Sequence, residues 1–173
     1  MKQIEHLVEQ LANHTWDDTT GPEAHTALTS ILRLRNVVEH HAAALVARLT
    51  ALGVAKKQGR TIRELLIVMG CAPAVASRLV RVAGNLAQLP RLAGHTADGT
   101  ISGEHADAVV RGMTHICSRN GQPLSDEQRH SMVTDLLAHT FSGATPSEIT
   151  NRARALGNQL ADQSDVGLPA AED

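Results

Sequence analysis

Aromatic side chains are nearly missing from this chain: Trp16 and Phe141 stand alone, and there is no Tyr. A core without aromatics must be filled by Leu, Val, Ile, Ala and Met. That favours closely packed helices over sheets, whose strands draw on aromatic and β-branched residues. Cysteine is scarce as well. Cys71 and Cys117 are isolated, with no CxxC spacing, which argues against a disulfide framework or a cysteine zinc site and leaves two small apolar residues. No apolar run approaches the ~20 residues needed to span a bilayer, and the opening MKQIEHLVEQL lacks the continuous apolar stretch of a secretion signal. The expectation is a cytoplasmic protein without a membrane partner. Catalytic signatures are also wanting: there is no HExxH, no GxxxxGK[ST] or GxGxxG loop and no GxSxG.

What is present reads as helix. Four segments open with a hydroxyl residue followed three places later by Glu or Gln: Thr20 with Glu23, Thr61 with Glu64, Ser125 with Gln128, and Thr145 with Glu148. This spacing lets the hydroxyl and the later side chain each satisfy an orphan backbone N–H, so each marks a helix start. Pro22, Pro73, Pro90 and Pro146 sit where a first turn tolerates proline, and Gly53, Gly70, Gly99, Gly121 and Gly143 fall where helices should stop. The expected fold is an all-α, multi-helix bundle of about eight helices, over 2–14, 22–52, 61–69, 73–88, 90–97, 102–119, 125–141 and 145–162. Residues 1–21 form an N-terminal helix and linker, 22–162 the helical domain, and 163–173 an acidic, unpatterned tail expected to be flexible.

The longest helix, 22–52, carries Leu28, Ile31, Val38, Ala42, Leu45, Leu49 and Leu52 at spacings of three, four and seven. Such a stripe must bury against another helix. The following bundle is the expected cover and a second copy of the chain the alternative, although Arg35 interrupts any long seam. Charge is unevenly spread behind a formal net charge of -2. Between residues 27 and 91 ten Lys or Arg face two carboxylates, Glu39 and Glu64, and both flanks are acidic. A positive segment of this kind can attract phosphates by counterion release. Its densest part is Lys56, Lys57, Arg60 and Arg63.

That basic segment coincides with a helix-turn-helix pattern around Gly70, in which Leu65, Met69, Cys71, Ala76 and Leu79 are the expected interior positions. TIRELLIVMGCAPAVASRLV resembles the N-terminal motif of the lactose-repressor class in its opening Thr-Ile, its turn Gly and its later Ser-Arg. It departs from that motif at Leu66, where a small residue is usual, and at Ala72, where a capping Ser or Thr is. The resemblance implies a second helix in the major groove, with Ser77, Arg78 and Arg81 reaching bases or phosphates.

Further along, Leu89-Pro90 divides two helices, Asp98-Gly99 reverses the chain, and Ser102 caps the next helix with Glu104 near its positive end and Ile101 as a staple. Taken in order, Gly70, the Ala/Arg/Leu helix, Leu89-Pro90, Asp98-Gly99-Thr100-Ile101-Ser102 and Glu104-His105-Ala106 resemble the helical domain of actinobacterial proteins of the thirteen-E-twelve repeat family, the domain of unknown function 222, over roughly residues 25–160. In that family an HNH endonuclease domain often follows. The chain itself offers no nuclease: its ten histidines lack chelating spacing, His40 and His41 point about a quarter turn apart, and there is no hairpin for a ββα-metal site. Without such a site or a catalytic motif, the expectation is a non-catalytic domain that needs no cofactor, metal or small-molecule substrate. Its expected role is DNA binding or accessory function in an HNH-nuclease or mobile-element type system, through Lys56, Lys57, Arg60, Arg63, Ser77, Arg78 and Arg81. The alternative is a helical interaction or oligomerisation module, homodimeric through helix 22–52.

Overall fold

The computed structural model describes residues 2–120 and 123–165. Among them the chain is all-α, with nine α-helices, one 3-10 turn and no strand. In order these are α1 (Lys2–Ala12), α2 (Gly21–Ala51), α3 (Val54–Lys57), α4 (Ile62–Val68), α5 (Pro73–Ala83), the 3-10 turn Leu86–Gln88, α6 (Pro90–Ala97), α7 (Gly103–Asn120), α8 (Asp126–Phe141) and α9 (Pro146–Asp165). No described helix is long and apolar enough to cross a membrane. Of the acidic tail read from the sequence, residues 166–173 lie outside the described residues.

Local chemistry sets the helix starts. Thr61 with Glu64 and Ser125 with Gln128 form complete reciprocal capping boxes. Thr145 and Glu148 exchange the same pair of bonds, and the Glu23 carboxylate accepts from both the N–H and the hydroxyl of Thr20. Two departures from the expected boundaries have local causes. Residues 53–60, read as a loop, contain the short α3 between two glycines with positive φ, Gly53 and Gly59. The helix expected over 73–88 stops at Ala83, because Gly84 lacks helix propensity and the Asn85 side chain donates to the Arg81 carbonyl at 2.8 Å.

The chain divides into two compact units, Met1–Leu34 and Arg35–Asp173, and α2 contributes to both. The first unit holds α1, a turn closed by the Thr19 N–H on the Trp16 carbonyl, and the start of α2; none of its described residues is buried. The second unit is built around α7. Ala106, Ala108, Val109, Val110, Met113 and Ile116 are all buried there, covered by Ala76, Leu79 and Val82 of α5, by Val133, Leu136 and Leu137 of α8, and by Ile149, Ala153 and Leu156 of α9.

Small residues permit the closest contact, between α7 and α9. A Cβ on Gly112 would stand 2.8 Å from the Ala153 Cβ and 3.2 Å from Leu136 Cδ1. This is the packing that a core of aliphatic side chains requires, since axes must approach until short side chains touch.

The apolar stripe of α2 is buried only in part: Ala42 and Leu49 are half-buried, Ala42 against the core, but Leu28 is 58% exposed, Val38 56%, Leu45 64% and the following Leu52 47%. Within the second unit α2 instead turns Ala43 and Val46 into the core, flanked by polar residues with partners there: Asn36 donates to the Gly99 carbonyl at 3.0 Å, and His40 Nδ1 lies 2.9 Å from the Thr96 hydroxyl. These half-buried polar groups need those partners, and satisfying them fixes the rotation of the helix more tightly than hydrophobic periodicity does.

Replacing Gly112 with Ala should lower stability by ~1–3 kcal/mol through overpacking, against a helix-propensity gain of at most ~1 kcal/mol. Gly157→Ala is the matched control. Its Cβ would meet His115 Cδ2 at an ordinary 3.4 Å, so it should raise stability by up to about 1 kcal/mol. Urea denaturation of the two variants checks both signs.

Candidate functional site

The basic cluster occupies a rim formed by α3 and the start of α4. Backbone bonds from Gly59 N–H to the Lys56 carbonyl and from Arg60 N–H to the Ala55 carbonyl, each 3.0 Å, fold the chain tightly between the two helices. The turn leaves Lys56, Lys57, Arg60 and Arg63 all exposed. Among the described residues, none of the four meets a carboxylate within ion-pair distance. Glu64 is the nearest acid in sequence. The Thr61 backbone N–H and then its hydroxyl hold the Glu64 carboxyl below the usual carboxylate range, with the Arg60 and Arg63 charges adding to the effect. The rim thus keeps its positive field around one carboxylate that is committed to a helix cap.

Helices α4 and α5 pack as a pair across the turn at Gly70, whose φ of 93° is one that a side chain would strain. Leu65, Ala76 and Leu79 are buried and Cys71 is half-buried, as the pattern requires. Met69 differs: as the C-terminal cap of α4 it is 68% exposed, because the chain turns out of the helix there. Leu66 is buried between the helices, and Ala72 starts α5 without a side-chain cap.

The polar residues of α5 face the protein as much as the solvent. Arg63 Nε donates to the Ser77 hydroxyl at 2.8 Å, and that hydroxyl donates to the Pro73 carbonyl. Arg78, with its side chain only 16% exposed, donates to Glu104 at 2.7 Å and to Glu39 at 3.0 Å. Arg35 joins the same two carboxylates. Arg81 donates to Asp107 at 2.6 Å, and Arg111 to the other oxygen of that carboxylate at 3.1 Å. The seven residues singled out in the sequence therefore separate. Lys56, Lys57 and Arg60 face solvent, Arg63 and Ser77 pair with each other, and Arg78 and Arg81 tie α5 to α7.

The acids that hold these arginines, Glu39, Glu104 and Asp107, carry no signal in sequence, because each lies at least 26 residues from its α5 partner. Burial pushes the Glu104 carboxyl up, but its own backbone N–H, Arg78, Ser102 and Arg35 together outweigh that and leave it below the usual range. The Glu39 carboxylate fills the space beside Gly103, at the first turn of α7, where a side chain would otherwise stand.

His105 is equally engaged. Its Nε2 lies 3.1 Å from the Ala144 carbonyl, so it carries the proton there, and Nδ1 then accepts from the Ser102 hydroxyl at 2.8 Å. Among the described residues no group of three or more His, Cys, Asp or Glu side chains is placed to hold a metal ion.

A second candidate surface belongs to the first unit. Ile4, Leu7, Val8 and Leu11 share one face of α1 and are all exposed, and Trp16, Ala24, Ala27, Leu28 and Ile31 line an open apolar groove. The helical spacing at 4, 7, 8 and 11 was the signal available in the sequence.

Removing the Arg78 guanidinium leaves Glu39 and Glu104 with only the half-exposed Arg35 as a cation between them. Arg78→Ala should cost ~1–3 kcal/mol, less than breaking a fully buried pair, whereas the combined change of Lys56, Lys57, Arg60 and Arg63 to Ala should stay within about 1 kcal/mol. Chemical denaturation separates the two.

His40 supplies a pH dependence. Burial and then the neighbouring His41 lower its pKa, so the neutral ring is favoured by folding. The stability this contributes is present above about pH 6.5 and is lost as the pH falls below it towards the lowered folded value. His40→Gln should flatten that part of a stability–pH curve. Comparisons with protein-family models, with curated proteins and with solved structures return no match for this chain.

Proposed function

We propose that this chain is a non-catalytic helical accessory module that holds nucleic-acid phosphates along the rim of Lys56, Lys57, Arg60 and Arg63. The observation that carries the reading is the contrast within the basic segment: the rim cations are exposed without carboxylate partners, while Arg35, Arg78 and Arg81 are each paired with carboxylates, Arg78 in a half-buried position. A cluster of unneutralised charge is what counterion release needs, and it requires no groove reading. Contact through the rim leaves α5 packed on α7 and asks nothing of Arg78 or Arg81. The resemblance to the thirteen-E-twelve repeat family supplies the setting, an HNH-nuclease or mobile-element type system.

Duplex DNA titrations over a salt series test this. Micromolar binding at low salt is expected, with a log–log salt slope of about −3 to −4 if four phosphates are met. The variant with all four rim residues changed to Ala should lose binding, and Arg81→Ala should keep it. Absence of binding at low salt would remove the reading. A second reading, a protein-interaction or oligomerisation module, is favoured by a separate observation: the first unit exposes its apolar side chains and buries none.

A further inference from the structure

The first unit cannot be stable as a free-standing piece. Its α1 is an 11-residue helix with no buried residue, and a helix that short is marginal in water unless a packed face supports it. Among residues 2–34 nine large apolar side chains, including Leu7, Leu11, Trp16, Leu28 and Leu32, are between 36% and 67% exposed. At ~25 cal/mol per Å² and ~1.5–3 kcal/mol for complete burial of one side chain, their uncovered half amounts to roughly 270–540 Å² per copy. With flanking atoms added, the upper end of that range approaches the ~800 Å² per partner of an ordinary specific interface.

We infer that residues 2–34 form the interface of a two-fold homodimer, in which α1 of each copy seats its Ile4, Leu7, Val8 and Leu11 face in the Trp16–Ile31 groove of the other. The inference rests on the interaction-module reading and names its partner. The two surfaces fit by size: α1 offers a row of bulky aliphatic side chains, and the groove has Ala24 and Ala27 between Trp16, Leu28 and Ile31. Both lie on one chain, so two copies related by a two-fold axis satisfy each other twice and leave neither surface open.

The copy's own α1 does not cover the groove. The turn after it is closed locally, with the His14 ring edge-on to Trp16 at 4.1 Å and the Thr19 N–H on the Trp16 carbonyl at 3.1 Å, and both apolar faces stay exposed. Residues 2–34 carry five exposed carboxylates, Glu5, Glu9, Asp17, Asp18 and Glu23, against Lys2 and Arg33, a balance that repels nucleic acid and anionic lipid alike. Association through such a surface should hold or tighten as salt rises, the reverse of phosphate binding.

Sedimentation equilibrium of the full chain, with circular dichroism on the same samples, tests the dimer against Leu7→Glu and Leu28→Glu. The parent should have a two-chain mass at micromolar concentration in both low and high salt. Either substitution should raise the dissociation constant at least about tenfold without moving the thermal transition of the second unit, since neither side chain lies in the core. A parent that keeps a one-chain mass up to hundreds of micromolar overturns the inference, and so does a dimer that survives both substitutions. Amide exchange across α1 then separates the two levels in a monomeric parent. Fast exchange removes the second copy alone, whereas slow exchange means the chain covers its own face and removes the interaction reading as well.

Discussion

Everything in the second unit follows from the burial of α7. A chain with two aromatic residues can fill a core only by drawing helix axes together, and at Gly112 α7 leaves no room for even a Cβ beside Ala153 of α9. Once α5, α8 and α9 surround α7, its Asp107 carboxylate has little water to face, while Glu104 stays partly exposed. Glu104 and Asp107 sit near its positive end and also need cations, which α2, α5 and α7 itself supply as Arg35, Arg78, Arg81 and Arg111. A partly buried pair of this kind is a weak source of net stability. It does penalise any packing that would separate the partners, and so it helps to fix how α2 and α5 lie on α7.

This pairing divides the charge of the molecule into residues matched by carboxylates and residues that face solvent. Sequence distance says that ten Lys and Arg residues cluster between 27 and 91, yet their fields are not equally available. Arginines on α5 are cancelled within a few ångströms, while those on the tight turn from α3 to α4 are not, because the one acid near them, Glu64, is committed to the Thr61 cap and forms no ion pair with them. The apolar surface is divided as well. The second unit uses the Ala43 and Val46 side of α2, and the bulky side chains of the first unit remain uncovered.

Much of the local structure was readable beforehand. The four hydroxyl–acid or hydroxyl–amide spacings mark four helix starts, because a cap involves neighbours three residues apart. Asp98-Gly99-Thr100 forms the expected reversal, with the Asp98 carboxylate accepting from the Thr100 N–H at 2.9 Å, and Ile101 is buried beside it. The break after Ala83 was missed, since it depends on a single side-chain-to-backbone bond from Asn85 that competes with continued helix. The face of α2 was also missed. Two overlapping stripes at spacings of three and four run along that helix, and the more hydrophobic one is not the one buried.

The all-helical class, most helix boundaries, the aliphatic core and the place of the basic rim are legible in the chain alone, because each depends on neighbours a few residues apart or on composition. Which arginines are committed to carboxylates, which side of α2 meets the bundle and which apolar residues remain uncovered emerge only when the helices pack. Those outcomes turn on pairings between residues 26 to 69 positions apart, such as Arg81 with Asp107 and Arg35 with Glu104. No local pattern encodes them, since a buried polar group takes whichever partner the packing of the helices brings within hydrogen-bond reach.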